Sequence, residues 1–262
     1  MQRITLKPEN YILDPTHEIT VTLIGVGGTG SQVLNILARM HVALKALGHP
    51  GFKVIAYDGD EVSEANIGRQ SFFYCDLGQN KAINMISKIN MAFGLNWIGS
   101  SNYYTKSNVT TNIMITCTDS IESRKTVWEK FNSLKNDVFY TDQSMPYYWI
   151  DFGNSSNYGQ VIISERKKKY KPQLLKSVFE FHPELLTQKE SNEPSCSMIE
   201  ALSKQDLLIN STLANFGMDL LWKMFRTLEI PYNGIYLNLK DYAISTIPIW
   251  DNQKPSTKSS SK

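Results

Sequence analysis

A group of cationic and polar side chains in the first half of the chain has the composition of a phosphate-handling site. Arg69 and Lys81 lie close in sequence to Asn66. Two fixed cations can neutralise the charge that develops on a phosphate and its leaving group during transfer. Asn66 could hold a phosphate oxygen or the metal shell, and Asp119 could hold Mg²⁺, which prefers carboxylate and phosphate oxygens. Each residue alone could form a surface ion pair, but together they predict an ATP site.

A glycine-rich turn lies upstream of these side chains. Apolar residues 21–24 predict a buried strand before it, and apolar spacing predicts a helix after it. Such a turn points backbone N–H groups and the positive end of the helix at an anion. Nicotinamide and flavin enzymes share this pattern, so the turn alone leaves the nucleotide open. Its candidate binding residues are Gly25, Gly27, Gly28, Thr29 and Gly30.

Asp58 follows the second predicted strand, residues 52–57. A Rossmann-type fold places an acid at this point, where it hydrogen-bonds the ribose hydroxyls of the nucleotide. A buried acid at a strand end can also simply cap a turn. The position of Asp58 downstream of the glycine-rich turn favours a role in ligand binding.

The elements that must position these side chains alternate between strands and helices. Further strands are predicted at residues 112–118, 138–141 and 159–163. Helices are predicted from the glycine-rich turn to residue 47 and at residues 76–91, 123–134 and 198–228. Residues 234–239 and 242–247 have the alternation of a hairpin. This order predicts an α/β fold, with a Rossmann-like, doubly wound, mostly parallel sheet, C-terminal helices and an antiparallel strand pair.

Composition divides the chain into five segments and excludes several classes of protein. The segments are an N-terminal arm (1–20), an ATP-binding core (21–165), a polar crossover segment (166–197), C-terminal helices and the strand pair of the same domain (198–250) and a tail predicted to be disordered (251–262). A net charge of +2 over 262 residues does not indicate nucleic-acid or membrane binding. Because no apolar run has membrane-spanning length and no signal peptide is recognised, we expect a cytoplasmic protein. Cys75, Cys117 and Cys196 form neither a disulfide framework nor a Cys-x-x-Cys metal site.

Five motifs occur in an order that resembles the adenylation core of the ThiF/MoeB/HesA family, the ubiquitin-activating-type enzymes. They are GVGGTG at residues 25–30, DGDEV at 58–62, NIGRQ at 66–70, DLG at 76–78 with Lys81, and CTD at 117–119 with Arg124. The Asn-x-x-Arg-Gln element and its spacing from the Asp-x-Asp are the specific part. The resemblance covers about residues 20–165 well and the C-terminal part loosely. Within the family, the chain looks most similar to the ThiF-like proteins of PRTRC gene systems.

The resemblance implies a reaction in which the C-terminal carboxylate of a ubiquitin-like or sulfur-carrier protein attacks the α-phosphate of ATP. The products are an acyl-adenylate and pyrophosphate, and the cofactors are ATP and Mg²⁺. Asp58 would bind the ribose and Asp119 the magnesium. The other residues that the resemblance places at the nucleotide are Asp60, Asn66, Arg69, Gln70 and Lys81. It also implies a homodimer and, as a further partner, a conjugating-enzyme-like protein.

Cys196 lies at the end of the polar crossover segment, just before a predicted helix. Family members that form a thioester place their cysteine in a loop near this point. A helix N-terminus favours the thiolate, which suits attack on an adenylate. The alternative is a small residue at a helix start, and the sequence leaves both interpretations open.

Two other functions fit part of the pattern. An NAD- or FAD-dependent oxidoreductase explains the glycine-rich turn but leaves Arg69, Lys81 and Asp119 without a task. A non-catalytic scaffold subunit would keep the fold and pair with an active partner. Such a subunit would be free to lose the polar set that this chain retains.

Overall fold

The computed structural model describes residues 2–108, 110–133, 141–142, 144–168, 172–187, 203 and 205–251. Its strands are β1 (Gln2–Ile4), β2 (Ile19–Ile24), β3 (Phe52–Tyr57), β4 (Ile98–Ser100), β5 (Ile113–Thr116), β6 (Tyr148–Asn154), β7 (Tyr158–Glu165), β8 (Gly234–Asn238), β9 (Ala243–Ile247) and β10 (Ile249–Asp251). Its α-helices are α1 (Asn10–Leu13), α2 (Gly28–Ala46), α3 (Lys81–Phe93), α4 (Ile121–Ser133), α5 (Val178–Phe181) and α6 (Ile209–Arg226). Single 3₁₀ turns occupy Glu64–Asn66, Tyr74–Asp76 and Pro183–Leu186.

Eight strands form one sheet in the order β4-β3-β2-β5-β6-β7-β8-β9. The pairs from β4 to β6 are parallel, and the pairs from β6 to β9 are antiparallel. The strands β8 and β9 form the antiparallel pair that the sequence predicts. The predicted fold class, a mostly parallel Rossmann-like sheet with helices, is therefore confirmed.

The helices α2 and α6 pack together beside this sheet and close the main hydrophobic core. From α2, Val33, Leu34 and Leu37 are fully buried, at the helical spacing that the sequence shows. From α6, Leu213 and Leu221 are also fully buried. Burying each such side chain contributes about 1.5–3 kcal/mol. The starts of the two helices lie together, since the hydroxyl of Thr29 in α2 donates to Asn210 in α6 at 3.0 Å.

The helix predicted at residues 76–91 begins later than the sequence suggested. It starts at Lys81, because Asn80 caps it by accepting a hydrogen bond from the backbone of Ile83. Residues 74–76 form a 3₁₀ turn, and Gly78 has a positive φ of 77°, which breaks the helical path between them. The helix ends at Phe93, since Gly94 takes the left-handed conformation there.

The strand β6 was missed by sequence analysis, although it pairs with β5 in the centre of the sheet. Its polar Asp151 interrupts an otherwise apolar run and hides the strand signal. Asp151 is fully buried and lies 3.4 Å from Nε of Arg124, and it accepts a hydrogen bond from Thr116. The predicted strand at 138–141 falls almost entirely outside the described residues.

The two ends of the described chain pair with each other. In the strand pair β1–β10, Gln2 of the N-terminal arm lies opposite Asp251, which composition had assigned to the tail. Residues 252–262 lie outside the described part of the chain. So do residues 198–202 and 204 of the C-terminal helix predicted at 198–228. The prediction of one continuous helix is wrong, because residues 205–208 form a bend and a turn, and α6 runs from Ile209 to Arg226.

Candidate functional site

Three parallel strands end side by side at one edge of the sheet. Ile24 at the end of β2 is in register with Tyr57 of β3 and with Thr116 of β5. The backbone N–H of Gly25 donates to the carbonyl of Tyr57 at 2.9 Å, and that of Cys117 donates to Ile24 at 2.8 Å. The loops that carry the glycine-rich turn, Asp58 and Asp119 therefore leave the sheet next to one another, as the sequence predicts.

The glycine-rich turn requires glycine at two points. Gly25 has a φ of +87°, and a Cβ there would lie 2.8 Å from the carbonyl oxygen of Cys117. A Cβ on Gly30 would lie 1.9 Å from the carbonyl oxygen of Gly25. This close packing brings the N-terminus of α2, with its partial positive charge, to the edge of the sheet.

Asp58 is buried at the end of β3, and both of its carboxylate oxygens accept backbone hydrogen bonds. Oδ2 accepts from the N–H of Val26 at 2.6 Å, and Oδ1 accepts from the N–H of Asp60 at 2.9 Å. Burial raises the pKa of Asp58, while these hydrogen bonds and the charge of Lys81 oppose that rise. Asp58 thus fixes the position of the glycine-rich turn through these hydrogen bonds. Its carboxylate lies next to the turn, at a point where it could reach the ribose of a bound nucleotide.

Lys81 is held in place by Asp60. Its Nζ lies 3.0 Å from Oδ2 of Asp60, and the lysine is buried at the start of α3. Tyr103 donates to Oδ1 of the same carboxylate at 2.7 Å. Burial raises the pKa of Asp60, but the hydrogen bond from Tyr103 and the charge of Lys81 bring it below its ordinary value. The hydrogen bond to Asp60 raises the pKa of Tyr103 to about 12.

Because Lys81 is buried and paired with Asp60, it is a fixed cation close to Asp58.

Asn66 and Gln70 form the base of the loop between β3 and α3. The side-chain Oδ1 of Asn66 accepts hydrogen bonds from the backbone N–H and the hydroxyl of Ser63. The backbone carbonyl of Asn66 accepts from the backbone N–H of Gln70 at 3.0 Å. The Gln70 side chain lies 3.9 Å from the point that a Cβ on Gly27 would occupy. Its Oε1 is buried and has no hydrogen-bond partner among the described residues. This unpaired amide oxygen lies near the first residues of the glycine-rich turn, where it could accept a hydrogen bond from a bound molecule.

Arg69 lies on the same loop and is half-buried. One terminal nitrogen donates to Oε1 of Gln205, and Nε has no hydrogen-bond partner within the described ranges. Burial lowers the pKa of Arg69, and the negative charge of Asp119 partly offsets that shift. The structure therefore brings Arg69 within electrostatic range of Asp119.

Asp119 is exposed just beyond β5. No group of three His, Cys, Asp or Glu residues that could hold a metal ion occurs in the part of the chain that the structure describes. Magnesium at nucleotide sites uses one or two carboxylates together with phosphates and water, so a single exposed carboxylate fits that ion when nucleotide is bound.

Of the cysteines, Cys196 lies outside the described residues, and its proposed role stays a prediction. Cys117 lies at the edge of the site beside Gly25 and Gly30. Burial raises the pKa of the Cys117 thiol well above its ordinary value, which disfavours the nucleophilic thiolate.

Sequence reasoning missed two amide side chains, Gln205 and Asn210, that contact site residues from elsewhere in the chain. Gln205 contacts Arg69, and its Oε1 also accepts from Asn210 at 3.0 Å. Asn210 accepts from Thr29 at 3.0 Å and from Asn154 at 3.2 Å. The sequence signal that could have found Asn210 is a polar residue within the apolar face of α6. A buried amide needs hydrogen-bond partners, so such a residue indicates a polar contact with another element.

These features define a nucleotide-binding α/β protein, with a phosphate-type turn, an acid and two cations along one edge of the sheet. The family model described as the ThiF family matches residues 13–203. The chain therefore belongs to the ThiF family, which confirms the resemblance seen in its motifs. The finer likeness to PRTRC-system proteins stays a prediction. A comparison with curated proteins finds no match.

Solved structures share the fold at low sequence identity. Selenomethionine PaaA has a TM-score of 0.57 and 15% identity, covering 89% of this chain and 64% of PaaA. E. coli MccB with ATP has a TM-score of 0.57 and 14% identity, covering 91% of this chain and 66% of MccB. The microcin C7 biosynthetic enzyme MccB in complex with N-formylated MccA has a TM-score of 0.56 and 16% identity, with coverage of 91% and 67%. This chain spans about two thirds of the length of those proteins.

Among the described residues, every helix is too short or too polar to cross a lipid bilayer.

Proposed function

We propose that this chain uses ATP to adenylate the C-terminal carboxylate of a ubiquitin-like or sulfur-carrier protein. Membership of the ThiF family supports an adenylyltransferase. The observation that carries the proposal is the pair of positioned cations. Lys81 is held by Asp60 beside Asp58, and Arg69 lies on the loop whose Gln70 faces the glycine-rich turn. Hydride transfer develops no charge on a phosphate or a leaving pyrophosphate, so an oxidoreductase leaves this pair without a catalytic task.

In the proposed reaction, a carboxylate oxygen of the carrier attacks the α-phosphorus of ATP. A new bond joins that oxygen to phosphorus, and the bond from the α-phosphorus to the bridging oxygen breaks. Pyrophosphate leaves with the electron pair, and the acyl-adenylate remains. The chain contributes position and charge neutralisation, which can supply most of the rate enhancement in phosphoryl-type transfers.

Each site residue has a role in this proposal. Asp58 accepts hydrogen bonds from the ribose, and the N-terminus of α2 faces the phosphates. Arg69 and Lys81 neutralise charge on the phosphates and the leaving pyrophosphate, while the side-chain NH₂ groups of Asn66 and Gln70 donate to phosphate oxygens. Mg²⁺, held by Asp119 and phosphate oxygens, would supply further neutralisation when bound.

The carrier and the oligomer are also part of the proposal. Structures of MccB solved with MccA support a protein or peptide as the carboxylate donor. The family supports a homodimer, and thioester transfer to Cys196, followed by hand-over to a conjugating-enzyme-like protein, would be a second step.

Exchange of labelled pyrophosphate into ATP tests the reaction. The probe is a sulfur-carrier protein with a free C-terminal carboxylate, and the matched control is the same protein with a C-terminal amide. We expect exchange with the carboxylate form and none with the amide. Exchange that does not depend on the carboxylate, or tight NAD binding without exchange by any carrier, would contradict the proposal.

The thioester step has its own test. Cys196→Ser should leave pyrophosphate exchange intact and abolish a carrier adduct that reducing agents cleave. If the adduct forms equally in both proteins, or in neither, Cys196 is not the acceptor.

A further inference from the structure

A single glutamine, Gln205, joins the proposed phosphate-binding arginine to a different part of the fold. Arg69 donates to its Oε1 across a separation of 136 residues in sequence. Gln205 lies shortly before α6 and outside the motifs that identify the family. Nothing in its sequence context indicates a role in nucleotide binding.

The orientation of the Gln205 amide is fixed by the hydrogen bonds it makes. Its Oε1 accepts from Nδ2 of Asn210 at 3.0 Å as well as from Arg69. Its Nε2 donates to the carbonyl of Ser155 at 3.3 Å. If the amide were rotated by half a turn, its NH₂ group would face two other donors, the guanidinium of Arg69 and Nδ2 of Asn210. The carbonyl therefore remains directed at the guanidinium.

Asn210 extends this connection to the glycine-rich turn. It is buried, and its Oδ1 accepts from the hydroxyl of Thr29 at 3.0 Å. It also packs against Gly28, where a Cβ would lie 2.6 Å from the asparagine side chain. A continuous set of hydrogen bonds thus runs from Arg69 through Gln205 and Asn210 to the first turn of α2.

We propose that Gln205 is a positioning residue, which holds Arg69 in the orientation that binds the phosphates of ATP. This inference rests on the proposed function. Only one guanidinium nitrogen bonds to Gln205, and the buried Nε has no partner within the described ranges, so donors remain for phosphate oxygens. A long arginine side chain has many rotamers, and fixing it before ATP arrives reduces the entropy lost on binding.

The test measures ATP affinity by calorimetry on the full chain, in a double-mutant cycle of Gln205→Ala and Arg69→Ala. We expect Gln205→Ala to weaken ATP binding about tenfold, the scale of one hydrogen bond to a charged group. In the Arg69→Ala background, the same change should have almost no further effect. A merely structural role of Gln205 would instead give additive losses.

Controls separate the possible failures. Leu207→Ala changes an exposed side chain in the same segment and should leave ATP affinity unchanged. Thermal unfolding checks that each variant is folded, and Arg69→Met, which keeps an unbranched side chain without a donor, replaces Arg69→Ala if the alanine variant is not. Full ATP affinity in Gln205→Ala, or additive losses, overturns the positioning role while the proposed function stands. Absence of ATP binding by the unaltered chain overturns both.

Discussion

The backbone N–H of Val26 donates a 2.6 Å hydrogen bond to Oδ2 of Asp58, which ties the glycine-rich turn to the end of β3. The second oxygen of the same carboxylate accepts from the N–H of Asp60. The acid proposed to bind ribose is therefore also the acceptor that shapes the turn. Its two roles make distinct predictions.

Asp58→Asn should lower both stability and ATP affinity. An amide nitrogen cannot accept a hydrogen bond, so one backbone N–H would lose its partner in a buried place. The expected loss in the free energy of unfolding is about 1–3 kcal/mol, measured by urea denaturation. Asp219→Asn is the matched control, because it removes only an exposed ion pair with Lys223 and should change stability little. Unchanged stability of Asp58→Asn would contradict the structural role.

Gly30→Ala should be among the most damaging changes in the glycine-rich turn. The added Cβ would meet a backbone oxygen at 1.9 Å, and a backbone atom cannot move aside as a side chain can. We expect a loss of about 3 kcal/mol or an unfolded protein, measured by thermal or urea unfolding. Gly27→Ala provides the comparison, since its Cβ would come no closer than 3.9 Å to Gln70. Equal losses in the two variants would show that the turn is not packed as described.

Acid should destabilise the protein partly through Asp76. Burial raises the pKa of this carboxyl, but hydrogen bonds from Lys88, Phe73 and Asn84 and the charge of Lys88 lower it below its ordinary value of 3.8. A carboxyl with a lowered pKa in the folded state adds stability above its unfolded pKa. That stability is lost as pH falls through the folded pKa.

Urea unfolding between about pH 5 and pH 3 should therefore show a smaller dependence on pH in Asp76→Asn than in the unaltered chain. The variant should also be less stable at neutral pH, because Lys88 loses its partner. The same slope in both proteins would exclude Asp76 as a contributor to acid unfolding.

Much of the fold could be predicted from the sequence, because β2, α2 and β3 have clear apolar patterns and a glycine-rich turn between them. The strand β6 could not be predicted in this way. Its Asp151 is compatible with a buried strand because Arg124 of α4 pairs with it, and that contact is not visible in the local sequence. The start of α3 was misplaced for a different reason. The sequence does carry the boundary, because Asn80 is a favoured N-cap residue, Gly78 interrupts a helix, and the periodic apolar positions begin only at Ala82.

The candidate site shows the same division. Residues within the family motifs could be predicted to lie together because strand ends of a parallel sheet meet at one edge. Gln205 and Asn210 were not, since their relevance comes from the packing of α6 against α2 and not from local sequence. Periodicity identifies a buried face but does not indicate which element lies opposite it.

Calorimetric titration of the chain with Mg²⁺–ATP tests the central claim most directly, using Arg69→Ala and Lys81→Met. Lys223→Met removes a cation of an exposed ion pair and serves as the matched control. The account predicts that the unaltered chain and Lys223→Met bind ATP with equal affinity, that each site variant binds at least about tenfold more weakly, and that NAD does not bind. Binding of NAD in place of ATP, or equal ATP affinity in all four proteins, would contradict the assignment of this edge of the sheet as an ATP site.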